Sequence, residues 1–175
     1  MADDLRLASS PADFAAFASL ITEYVAWCRE RYRDHAWFVD RVFGHQDLAE
    51  ELAGLQAAYS GQQGRTLLFV VDGEVRGAGA YRRRADGTCE MKRLFVPDRF
   101  RGQRLGRRLC EALLEAARED GFTLMRLDTA NLMTEAIALY SSCGFRPCAP
   151  YLDYPPDLMP FLVFMERPLT PEAQA

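Results

Sequence analysis

The chain has 175 residues, 49% of them hydrophobic and 26% charged, with a formal net charge of −4. That is the size and balance of one globular domain with a single core, placed at residues 1–170 with a frayed tail at 171–175. It argues against a nucleic-acid binder, which needs a broad basic field, and no apolar run approaches the roughly 20 residues of a membrane helix.

The N-terminus "MADDLRLASSPADF" has neither a basic n-region nor an apolar h-region, so a secretory signal is not expected and the protein is placed in the cytoplasm. "LRLAS" alternates and predicts a short strand. The breaker and cap residues of "SSPADF" precede a helix over about Phe14–Tyr32, with Phe14, Phe17, Leu20, Ile21, Tyr24 and Val25 at helical spacing. A second helix is predicted over Gln46–Tyr59, and "RDHAWFVDRVFGH" between them carries no clear periodicity. "TLLFVVDGEVRGAGAYRRR" reads as two strands turning at Asp72-Gly73. "ADG" makes a second turn into the strand Thr88–Val96, which completes an antiparallel meander.

The pattern then changes. A helix over Leu105–Glu119 ends at Gly121, a strand follows over Thr123–Thr129, and a helix over Met133–Ser142 stops at Gly144. Strand, helix and strand this close together imply a parallel pair with a right-handed crossover. "FRPCAPY" and "FLVFMERPL" are the last strand candidates. The fold class is therefore α/β in the α+β sense. A mixed, mostly antiparallel central sheet carries a parallel pair in its middle and helices on both faces.

The five cysteines are odd in number, contain no CxxC pair, and show no zinc-ligand spacing with His35 or His45. No metal site is expected, and the thiols read as reduced packing groups.

The segment "MKRLFVPDRFRGQRLGRRLCEALLEAARE" places Arg99, Arg101, Arg104, Arg107 and Arg108 at one strand-to-helix corner. A helix N-terminus offers unpaired N–H groups and the positive end of the helix dipole, glycines admit a ligand to the backbone, and arginines add permanent charge. Together they describe an anion site suited to a pyrophosphate. The plainer alternative is a solvated basic loop in which Gly102 and Gly106 merely turn the chain. The corner is neither a P-loop nor a GxGxxG fingerprint.

"RLFVPDRFRGQRLGRRLCEALL" resembles the acyl-CoA-binding segment of the GCN5-related N-acetyltransferase (GNAT) superfamily, a strand, a Q/R-x-x-G-x-G/A loop and a helix. Arg101 fits the first position and Gly106 the last, while Arg104 stands where the family usually has glycine. "RLDTANLMTEAIALYSSCGF" is similar to the family's second half, with Ala136, Leu139, Tyr140, Gly144 and Phe145 in the A-x-x-L/A-Y-x-x-x-G-F ending. "FMERPL" resembles its final strand. The match covers Thr66 to Phe145; residues before Gly64 agree only in outline.

The resemblance implies the GNAT fold and an acetyl-CoA-dependent N-acetyltransferase that needs no metal. The pantetheine arm would lie along Leu94, Phe95 and Val96 as an added strand. The pyrophosphate would rest on Arg101, Gly102, Gln103, Arg104, Leu105, Gly106 and Arg107, with Asn131 at the pantetheine or phosphate region. Tyr140 would be the general acid for the leaving thiolate, with a core aromatic as its alternative. Glu90 would be the base, and strand alternation puts it on one face with Lys92, Leu94 and Val96. A salt-bridged strand glutamate, with a water relay as base, stands equally open.

No cysteine is placed by motif as an acyl carrier, so direct transfer in a ternary complex is expected. The acceptor would be a small-molecule primary amine, and the cations of "YRRR" and Arg93 weakly suggest that it also carries a carboxylate or phosphate. No nucleic acid or membrane is expected as partner, and homodimers are common in the superfamily. A non-catalytic acyl-CoA-binding or sensing domain of the same fold is the alternative function.

Overall fold

The computed structural model describes residues 3–170, so the tail expected to fray lies outside the described residues. The chain opens with strand β1 (Asp3–Leu7), then helix α1 (Pro11–Arg31). Ser10 caps α1 in a reciprocal box. Its hydroxyl accepts from the Asp13 N–H, and the Asp13 carboxylate accepts from the Ser10 N–H. These bonds satisfy donors that a helix start leaves open.

The segment without clear periodicity is helix α2 (Ala36–His45), which buries Phe38, Val39 and Phe43. Its signal is weak because no side chain caps its start. The single helix predicted over Gln46–Tyr59 is instead two short ones, α3 (Leu48–Ala53) and α4 (Leu55–Ala58), separated at Gly54. Glycine is a poor helix interior residue, and Asp47 starts α3 in left-handed geometry with its side chain on the Glu50 N–H.

The meander follows expectation as β2 (Gly64–Val71), β3 (Glu74–Arg83) and β4 (Cys89–Phe95). Next come α5 (Leu105–Glu119), β5 (Leu124–Ala130), α6 (Thr134–Ser142), a two-residue edge strand β6 (Arg146–Pro147) and β7 (Leu162–Pro168). "FRPCAPY" shrinks to β6 because proline cannot donate to a ladder. The seven strands form one sheet in the order β1-β2-β3-β4-β5-β7-β6, antiparallel except for β4 and β5.

Two details of β4 shape everything downstream. First, its parallel pairing with β5 is confined to Cys89↔Met125 and Glu90↔Arg126, after which the strands separate. Second, its register with β3 slips between Ala80↔Lys92 and Ala78↔Phe95, a bulge where Arg93 adopts φ 57°. An extra residue reverses the alternation beyond it. Met91 packs with the α5 face, but so do Leu94 and Val96, while Phe95 joins the α1 face. Glu90 therefore does not share a face with Leu94 and Val96 as simple alternation predicted.

The sheet is covered on both sides. Leu105, Leu109, Leu113 and Ala117 of α5 pack on one face against Phe69, Met91 and Leu127. Phe14, Phe17 and Ile21 of α1, with Leu55 and Tyr59, pack on the other against Leu68, Ala78 and Phe95. Gly79 lets α5 approach closely, since a Cβ there would stand 2.8 Å from Leu113 Cδ1. Among the described residues no helix is long and apolar enough to cross a membrane.

Candidate active site

Where β4 and β5 part, a cleft of about 460 Å³ opens between them. Its walls are the ends of β4 and β5, the start of α5, one side of α6, and the faces of α1 and α2 turned toward the sheet. Leu94, Phe95, Val96, Arg101, Gly102, Arg104, Leu105, Gly106, Arg107 and Tyr140 all line it, so the strand end, the arginine corner and the tyrosine share one cavity. Gln103, Glu90 and Asn131 are not on its wall. The Asn131 side-chain amide donates to the Pro160 carbonyl at 3.1 Å, which ties the end of β5 to the turn before β7.

The α5 end of the cleft has the character of an anion site. No side chain caps α5, so its first-turn N–H groups are left to another acceptor. Arg104 is exposed and adopts φ 58°, ψ 19°, the left-handed region that explains why glycine is the usual choice there. A Cβ added at Gly102 would meet nothing within 4 Å, so the loop backbone is open to a ligand. The other arginines are less available than their number suggests. Arg99 pairs with Glu23, Arg107 with Glu111 at 2.8 Å, and Arg101 with Asp98 at 2.9 Å while stacking over Trp27.

On the far wall Tyr140 stands edge-on to Phe145, with ring centroids 5.8 Å apart. Burial pushes its phenol above its ordinary value, and among the described residues its hydroxyl has no hydrogen-bond partner. It is a protonated donor without an acceptor. Cys28 also lines the cleft, but burial pushes its thiol up to about 12, which leaves almost no thiolate near neutrality.

Glu90 is fully buried behind the cleft wall. Arg82 Nε donates to its Oε2 at 3.0 Å, the Tyr151 hydroxyl donates to its Oε1 at 3.3 Å, and Lys92 Nζ lies 4.0 Å away. Among the described residues two carboxylates line the cleft, the exposed Glu135, which pairs with Arg31, and the buried Asp128 near the splayed end of β5. Its side chain is 5% exposed, Lys92 Nζ stands 3.5 Å from Oδ1, and Tyr154 donates to Oδ2 at 2.9 Å. The sequence pointed to Glu90 and passed over Asp128, because only the point at which β4 and β5 part decides which carboxylate meets the opening. A strand residue twelve positions before a helix-borne tyrosine carries no motif of its own.

The bulge residue Arg93 lines the cleft with its backbone while its side chain turns away to a buried ion pair with Glu51. Burial alone would raise the Glu51 carboxyl; the Arg93 hydrogen bond and charge more than offset it and hold the group below its usual value. No group of His, Cys, Asp and Glu among the described residues could hold a metal ion.

Residues 24–145 match the family model described as the acetyltransferase (GNAT) family. The chain is similar to an uncharacterized N-acetyltransferase of Schizosaccharomyces pombe, 31% identical over 157 residues that cover 89% of this chain and 88% of the relative. It is 48% identical to an uncharacterized N-acetyltransferase of Dictyostelium discoideum, over 63 residues that make up 36% of this chain and span only 29% of that relative's length. Among solved structures, one described as an acyl-CoA N-acyltransferase from Klebsiella pneumoniae superposes with a TM-score of 0.71 at 29% identity, covering 96% of this chain and 98% of the other. A Salmonella typhimurium structure with its cofactor acetyl-CoA shares the fold at a TM-score of 0.68 and 21% identity, covering 100% of this chain and 98% of that one.

Proposed function

The chain belongs to the GNAT family of acetyltransferases, and on that premise we propose that it moves an acetyl group from acetyl-CoA to the primary amine of a small molecule by direct attack in a ternary complex. The observation that carries this reading is the meeting of three features in one cleft: the uncapped start of α5, the open edge of β4, and the unpartnered phenol of Tyr140. The first suits a pyrophosphate, the second a pantetheine arm laid down as an added strand, and the third a departing thiolate.

Acetyl-CoA supplies the thioester whose C–S bond breaks as the C–N bond forms. The chain's own part is to hold and move protons. Asp128 takes a proton from the incoming ammonium, which frees the nitrogen lone pair. Tyr140 gives its proton to the leaving sulfur and recovers one from the second proton that the nitrogen sheds. One proton is released overall. Glu90, sealed behind Lys92 and Arg82, holds those two cations in place and is a positioning residue in this scheme.

Calorimetric titration with acetyl-CoA, with NAD and ATP as controls, tests the donor half. Selective micromolar binding, about −8 kcal/mol, is expected, and CoA release on adding amines tests the transfer half. Binding without release for any amine would leave an acyl-CoA sensor instead of an enzyme.

A further inference from the structure

Behind the cleft lies a second cavity of about 220 Å³ with a polar lining that includes Gln46, Glu51, Arg82, Lys92 and Tyr154. Gln46 and Lys92 line both cavities, so the partition between them is made of two flexible polar side chains. Asp128 stands on the cleft side and Arg82 on the chamber side.

The hydrogen bonding here is incomplete in a patterned way. Among the described residues, Gln46 Oε1 and Asp128 Oδ1 are buried acceptors with no hydrogen-bond partner. They belong to one connected group, since Gln46 Nε2 donates to the Tyr154 hydroxyl at 2.7 Å and that hydroxyl donates to Asp128 Oδ2. Buried acceptors of this kind are costly unless something satisfies them. An ammonium would, because it is a cluster of donors and nothing else.

The donors are incomplete too. Among the described residues only Nε of the Arg82 guanidinium is engaged, by Glu90, and its side chain is 41% exposed. Lys92 is held at 3.5 Å from Asp128 and 4.0 Å from Glu90. A guanidinium fork with an ammonium beside it fits a carboxylate. Glu90 meets Arg82 through Nε alone, so among the described residues the remaining N–H groups of that guanidinium have no hydrogen-bond acceptor.

We propose that the two cavities together form the acceptor site and that it takes an amino acid, its ammonium on Asp128 and Gln46 Oε1 and its carboxylate on Arg82 and Lys92. This rests on the acetyltransferase reading and narrows its acceptor. A plain amine would fill the acceptor side and leave the donor side to water; the carboxylate is what the chamber adds.

The test compares amino acids with their decarboxylated amines: phenylalanine with phenethylamine, histidine with histamine, methionine with 3-(methylthio)propylamine, and lysine with cadaverine. Two readouts are taken on the same protein, the melting temperature of the CoA-saturated chain and the rate of CoA release from acetyl-CoA. At least one amino acid should raise the melting temperature and exceed its decarboxylated partner in release rate by about tenfold or more. Arg82→Met and Lys92→Met should bring that ratio close to one while acetyl-CoA affinity holds. Arg82→Lys, which keeps the charge beside Glu90 and loses the fork, should fall between. Equal or better performance by the decarboxylated amines overturns the proposal, and so does acetyl-CoA binding with no response to any amino acid. Failure of acetyl-CoA itself to bind is a separate result, and it removes the acetyltransferase reading together with this one.

Discussion

The Tyr140 hydroxyl faces a cavity with no acceptor of its own among the described residues. Tyr140→Phe should lower kcat about 100-fold and leave the acetyl-CoA dissociation constant unchanged; full activity would remove the proton-donor role. Because burial raises the phenol above its usual value near 10, the group stays protonated throughout the neutral and mildly alkaline range. The alkaline fall in kcat should therefore begin above pH 10, and a fall centred lower would assign that limb to another group. Asp128→Asn should lower kcat/KM for the amine without weakening acetyl-CoA. At Arg104 two effects oppose each other. Arg104→Gly relieves left-handed backbone and should stabilise the fold by about 0.5 kcal/mol, yet it removes a cation that lines the cleft, so acetyl-CoA affinity should drop in calorimetry. The position of Tyr140 on the cleft wall was legible in the sequence because a motif surrounds it. The burial of Glu90 was not, since Arg82 and Tyr151, which enclose it, lie at distant points of the chain.

Among the elements, β4 departs furthest from its pattern. Its length and place in the meander could be read from alternation and from the two turns beside it. The slip at Arg93 could not, because a bulge leaves no composition mark when the residue in left-handed geometry is an arginine. The fold pins it instead with the Arg93–Glu51 pair, whose side chains are 5% and 8% exposed. Arg93→Ala would leave the buried Glu51 with the Tyr59 hydroxyl but without its ion-pair partner, and urea unfolding should show a loss of about 3 kcal/mol. The start of α1 offers a milder test. Ser10→Ala should cost about 1 kcal/mol. The Asp13 carboxyl is held well below its usual value by Arg6, then by the N–H groups of Ser9 and Ser10. Its contribution is therefore present above the ordinary aspartate range and fades as pH falls below it. Asp13→Asn should flatten that part of the acid limb in pH-dependent melting. Helix α5 matched its predicted limits, since seven of its residues are buried at helical spacing; α3 and α4 did not, because Gly54 outweighed the leucine periodicity around it.

For the molecule as a whole, the sheet order follows from local rules: hairpins where turns are tight and a crossover where a helix intervenes. What those rules do not contain is how far two parallel strands stay together, and the cleft depends on that. The thiols report on the integrity of the whole fold. Cys28, Cys89, Cys110 and Cys143 are buried, and Cys148 is half-buried. Burial also pushes Cys89 up to about 12. In native protein an aromatic disulfide reagent should titrate Cys148 and then Cys143, whose thiol is lowered by its hydrogen bonds with Cys110 and Ser142, with Cys28, Cys89 and Cys110 following only on unfolding; rapid reaction of any of those three would show a looser core than this one.

The short pairing of β4 with β5 has a further consequence. Beyond Glu90 and Arg126 each strand turns an unsatisfied border toward the other. Exposed borders of that kind recruit foreign strands and seed aggregates, and proteins normally hide them at the rim of a sheet. Here they lie inside it, guarded only by the narrowness of the wedge and by α1 and α2 above. A pantetheine arm laid along β4 would close one of them. The empty protein should therefore cloud sooner on heating than the acetyl-CoA-loaded one, by a margin that follows occupancy. The co-substrate would then act as a reversible seal on the interior of the sheet as well as a reactant.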